Sequence, residues 1–125
     1  MRSHEAMHRA TAIVPSDSNG VTLCTGTFGA MPEDVCDAIR DFGRRGKIHH
    51  VHFRNVRGSR RYFEEVFIDE GDIDMRRAME TYRDNGFAGP FMMDHTPTFP
   101  AGDSERLGKA YANGYIRRLL QEVYG

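Results

Sequence analysis

Apolar residues recur along this chain with two periods, one helical and one extended. Val35, Ala38, Ile39 and Phe42 fall three or four residues apart, behind Pro32, Glu33 and Asp34, which suit a first helical turn, and before Gly43, a stop signal. Met75, Ala78, Met79 and Tyr82 repeat that stripe between Asp72, a candidate cap, and Asn85-Gly86. Leu107, Tyr111, Tyr115, Leu119 and Val123 predict a last helix over 104–123, and residues 4–13 have helical composition with Ser3 as N-cap. Short β-branched or apolar runs predict strands at 21–25, 48–54 and 90–94. Residues 55–71 read as a long polar loop with a short extended piece at 62–68.

The order of helix, strand, helix, strand, helix, strand, helix is the α/β pattern with parallel strands and crossover helices. A single domain spans 1–125, with a leading helix at 1–13 and three βα units over 20–125. The long connections, 26–31, 55–71 and 95–103, all follow strand ends, and ligands bind at that face in α/β sheets and barrels.

The middle strand carries the chemistry. Alternation puts Ile48, His50, His52 and Arg54 on one face and His49, Val51 and Phe53 on the other. A buried parallel strand is apolar on both faces, so imidazoles and a guanidinium on one side imply either a cleft or a solvated edge. Cys24, His52 and Asp94 sit near the ends of the three strands, where adjacent parallel strands would bring them together. Thiolate, imidazole and carboxylate are competent ligands for a divalent transition metal. Each also has a plainer role, as a buried thiol, a hydrogen-bonded histidine and a turn residue. Arg54 reads as a carboxylate clamp or an ion-pair partner, and His95 as a proton-transfer group or a loop histidine. Tyr111 and Tyr115 fit a core equally well.

Charge and composition narrow the partners. Seventeen basic against 18 acidic residues give a net charge of −1, and Arg57, Arg60 and Arg61 are followed at once by Glu64, Glu65, Asp69 and Glu70, which argues against nucleic acid. No apolar run approaches the roughly 20 residues of a membrane span, and the first residues lack the apolar core of a signal peptide, so a cytoplasmic protein is expected. Cys24 and Cys36 are the only cysteines and are expected to be reduced. Gly26-Thr27-Phe28-Gly29 is a poor match to a phosphate loop.

Four motifs in order, Asn19–Gly26, Ile48–Asn55, Asp69–Met75 and Met93-Asp94-His95, resemble the carboxyl-terminal part of mannonate dehydratase, over about residues 14–124. The resemblance implies a xylose-isomerase-like (β/α)8 TIM barrel, of which this chain would hold the last three βα units, incomplete as a lone chain. It implies dehydration of D-mannonate, a sugar acid, to 2-keto-3-deoxygluconate in hexuronate and glucuronate catabolism. The reaction removes a proton from C2 and the hydroxyl from C3.

By the same resemblance Cys24, His52 and Asp94 are metal ligands for Mn²⁺ or Fe²⁺, and a thiolate ligand also admits Zn²⁺. His95 and Tyr111 would transfer protons, and Arg54 and Asn55 would face substrate. Phe53 stands where the family has Leu, and Met-Met-Asp-His-Thr stands for Arg-Pro-Asp-His-Gly. A further histidine ligand of the family lies upstream, and His4 and His8 have the wrong context for it. The chain is therefore expected to associate with an upstream barrel half or with itself. A sugar isomerase or epimerase on the same barrel, and a non-catalytic barrel fragment, are the alternatives.

Overall fold

Ser3 Oγ accepts from the Ala6 N–H and starts α1 (His4–Ala12), the leading helix. The computed structural model describes residues 3–100 and 102–125. Strand β1 (Val21–Cys24) runs directly into a short helix, α2 (Thr25–Gly29), where the sequence pattern suggested only a glycine-bounded loop. Next come α3 (Val35–Arg44), capped by Asp34, and β2 (Ile48–His52). Gly43 lies inside α3 rather than ending it. Its α-carbon is needed bare because a Cβ would stand 2.8 Å from Asn85 Cβ, and the chain turns instead at Gly46, with φ +63°.

The polar stretch after β2 is a two-stranded antiparallel hairpin, β3 (Val56–Ser59) and β4 (Tyr62–Glu65), pairing Val56 with Glu65 and Ser59 with Tyr62. Helix α4 (Met75–Asp84) follows, capped by Asp74, whose Oδ1 accepts from the Arg77 N–H. Asp72, the expected cap, instead accepts from the Gly58 N–H and ties the helix approach to the hairpin. Strand β5 (Phe91–Met92) is shorter than the expected 90–94, and α5 (Ser104–Val123) has the expected limits.

Strands β1, β2 and β5 form one parallel sheet in the order β1-β2-β5. Cys24 pairs with His52, and His52 with Met92, so three strand ends lie level. Leu23, Val51 and Phe53 are fully buried and meet Ile39, Phe42, Met79 and Tyr82 from α3 and α4, with Ile116 and Leu119 of α5 in the same core. The alternate residues, Thr22, Cys24, His50 and His52, remain partly or wholly open. One side of the sheet is thus closed by helices and the other is not. No helix among the described residues is long and apolar enough to cross a membrane.

Candidate metal centre

Strand pairing brings the first two candidate ligands together, and a backbone irregularity brings the third. Cys24 ends β1, where the Thr27 N–H donates to its Sγ at 3.4 Å, and His52 ends β2 beside it. Asp94 follows β5 with φ +61°, the single non-glycine positive φ among the described residues. That left-handed conformation is disfavoured for an L-residue by about 1–3 kcal/mol and clusters at functional sites. It ends strand pairing short of the expected limit and turns the carboxylate toward β2. His52 Nδ1 then lies 3.2 Å from Asp94 Oδ2.

One sulfur, one imidazole nitrogen and one carboxylate oxygen therefore stand within 4.8 Å of one another. Ligand bonds of about 2.0–2.3 Å require spacings of that order, so a divalent ion fits the donor set. All three side chains are half-buried, which shields the donors while leaving an approach.

Arg54 is the charged group beneath them. It is only 8% exposed, and its Nη1 donates to Glu65 Oε1 at 2.6 Å while Nε lies 3.2 Å from Asp94 Oδ2. The Nε–H is not aimed along that approach, and both it and Glu65 Oε2 are buried without a protein hydrogen-bond partner. Arg54 Nη2 also reaches Thr27 Oγ1 at 3.4 Å, and a Cβ on Gly26 would come within 3.1 Å of the Arg54 stem.

The remaining expected site residues take different places. His95 is 63% exposed at the rim, its Nε2 3.5 Å from Asp94 Oδ2. Asn55, expected to face substrate, is 1% exposed. Its Nδ2 donates to the Ile68 and Ile73 carbonyls and its Oδ1 accepts from the Val56 and Ile73 N–H groups. No donor or acceptor remains for a ligand, so Asn55 holds the loop instead. Tyr111 is not joined to the cluster: its hydroxyl donates to Asp69 Oδ2 at 2.6 Å, and that bond pushes the phenol pKa up.

Sequence reasoning missed Glu65, Thr27 and Asp69. Recognising the hairpin would have found Glu65, because pairing Val56 with Glu65 returns the chain to Arg54.

The D-mannonate dehydratase (UxuA) family model matches residues 1–124. Mannonate dehydratase 2 of Halalkalibacterium halodurans is 33% identical over 121 residues, covering 86% of this chain and 35% of that protein. Mannonate dehydratase of Thermotoga neapolitana is 36% identical over 95 residues, covering 73% of this chain and 26% of that protein. The crystal structure of mannonate dehydratase from Streptococcus suis serotype 2 superposes with a TM-score of 0.73 at 28% identity, over 96% of this chain and 38% of that one. The chain thus spans between 26% and 38% of the lengths of these relatives. On the family match and these likenesses together, the chain belongs to the D-mannonate dehydratase (UxuA) family.

Proposed function

We propose that this chain carries the metal- and substrate-binding face of a sugar-acid dehydratase, converting D-mannonate to 2-keto-3-deoxygluconate. The convergence of Cys24, His52 and Asp94 at three adjacent strand ends, in a chain of this family, carries the reading. The parallel sheet corresponds to three consecutive staves of a TIM barrel, with its open face as the barrel interior. The three side chains would hold Mn²⁺ or Fe²⁺, and Zn²⁺ suits the same donors. Cytoplasmic operation, and association through the uncovered strand edges β1 and β5, belong to the same proposal.

An ion held there would supply Lewis-acid stabilisation of charge developing beside the substrate carboxylate. Arg54, ion-paired with Glu65 and Asp94 beside the donors, supplies the positive charge that would face that end of the substrate. His95 stands at the open rim and is one of two candidates for the base that takes the C2 proton and the acid that assists the departing C3 hydroxide. Tyr111 is the second candidate, and its hydroxyl, which donates here to Asp69, would have to leave that partner to act on the substrate.

The test is to supply Mn²⁺ and D-mannonate to the purified chain joined to the upstream part of a family barrel, and to follow 2-keto-3-deoxygluconate. Metal-dependent product that disappears in His52→Ala and His95→Gln is expected. An epimer or isomer of mannonate as product points to the isomerase alternative. Metal-dependent mannonate binding without turnover points to the non-catalytic one. Absence of any metal-dependent binding overturns the reading altogether.

A further inference from the structure

A second set of converging donors lies away from the strand ends, between α1 and α3. His4 and His8 are one turn apart on α1, a spacing that puts both imidazoles on one helix face. That face meets Asp41 of α3: His4 Nε2 is 3.0 Å from Asp41 Oδ2, and His8 Nε2 contacts the same oxygen. The three donor atoms lie within 4.8 Å of one another, with side chains from 19% to 37% exposed.

Packing fixes the rings in that arrangement. The two imidazoles stack on each other with centroids 5.0 Å apart, and Phe42 lies 5.2 Å from His4 and 4.8 Å from His8. Phe28 closes the His4 side, edge-on at 6.2 Å. Donors whose rotamers are already set by their surroundings lose little freedom on closing around an ion. Two imidazoles and one carboxylate are a donor set for late first-row divalent ions, with a coordination position left for water.

One group opposes this. Arg45 Nε is 3.7 Å from Asp41 Oδ1, its guanidinium contacts the His8 ring, and it lies over Phe42 at 5.5 Å. A guanidinium beside His8 Nδ1 disfavours a cation on the same ring. The Arg45 side chain is 43% exposed on a flexible stem, however, and exposed ion pairs of this kind are weak.

We propose that His4, His8 and Asp41 form a second divalent-cation site of the zinc class, which clips α1 to α3. It shares no residue with the Cys24, His52 and Asp94 group and does not rest on the dehydratase reading. Among the residues of α1, Met7 and Thr11 are its buried anchors, so a bound ion would add a third attachment for this helix. Arg45 sets the affinity by occupying the edge of the site.

The experiment is a Zn²⁺ titration of the full chain carrying Cys24→Ser, in competition with a chromophoric chelator, with folding checked by circular dichroism. One bound equivalent is expected, weakened at least tenfold by His8→Gln or Asp41→Asn and tightened by Arg45→Gln. A Co²⁺ titration of the wild-type chain gives an independent reading if Cys24→Ser does not fold. Cobalt at Cys24 shows a sulfur charge-transfer band, whereas the second equivalent adds ligand-field absorption without one and is lost in His8→Gln. Zinc affinity unaffected by His8→Gln and Asp41→Asn, or a second cobalt equivalent that survives His8→Gln, overturns the proposal.

Discussion

The two faces of the β1-β2-β5 sheet share one backbone and differ in what closes them. Toward the helices, Leu23, Val51 and Phe53 are fully enclosed, and Phe53 meets Tyr82 and Phe91 edge to face. Toward the other side, Cys24 and His52 stay half-open above a buried Arg54 whose Nε has no hydrogen-bond partner. Alternate residues of the same strands thus build a finished core and a polar surface with unfilled bonding capacity. Stability and chemistry are separable here to within one residue along β2.

The largest expected effect breaks the closed face. Phe53→Ala should cost about 3–5 kcal/mol, read from the urea midpoint, because it empties an enclosed aromatic site. His52→Ala, its immediate neighbour, should cost less than about 1 kcal/mol in metal-free buffer while removing metal binding. Equal costs for the two would erase the contrast between the faces.

Asn55→Ala should rank next, at about 2–3 kcal/mol, since it leaves backbone groups of the 68–73 loop without their buried partner. Hydrogen exchange should quicken at Ile73, whose N–H donates to Asn55 Oδ1. Exchange unchanged there would mean that the loop holds itself. Gly71 belongs to the same contact, as a Cβ would stand 2.1 Å from Asn55 Oδ1.

The two cysteines sharpen the comparison without mutation. Cys36 is 2% exposed in the core, and burial pushes its thiol pKa up, while Cys24 is half-buried on the open face. A thiol reagent at neutral pH should modify Cys24 at least about tenfold faster and reach Cys36 only on unfolding. Added divalent metal should protect Cys24 alone. Equal rates for both thiols would contradict the assignment of faces.

The smallest effect concerns Tyr111. Its phenol pKa is raised chiefly by the hydrogen bond to Asp69, so Asp69→Asn should bring it back toward the ordinary tyrosine range. A group with a raised folded pKa stabilises the fold at pH below its unfolded value and loses that contribution as pH rises through the folded one. The wild-type chain should therefore lose slightly more stability than Asp69→Asn above about pH 10. Ultraviolet titration of the phenol in both proteins checks this, and identical curves would remove Asp69 as the cause.

Much of the architecture was legible because periodicity and burial agree. The stripe of Val35, Ala38, Ile39 and Phe42 is buried as expected, and α5 begins and ends where its pattern does. The three-strand convergence was also readable, since parallel strands of known order put their ends level. What escaped had weak local signals. The hairpin turns at Arg60-Arg61, without the Asn-Gly or Asp-Gly pair that marks such turns, and α2 begins at once where the glycines suggested a loop. Asn55 stands next to Arg54 in the family motif, and its buried hydrogen bonds to the 68–73 loop carry no signal in the sequence.

The measurement that bears most directly on the open face is X-ray absorption at the zinc edge. The sample is the His8→Gln chain loaded with one equivalent of Zn²⁺, so that the second proposed site is removed. A sulfur scatterer at about 2.3 Å, together with nitrogen or oxygen at about 2.0–2.1 Å, is predicted for an ion held by Cys24, His52 and Asp94. A first shell of nitrogen and oxygen alone, unchanged by Cys24→Ser, would contradict the account.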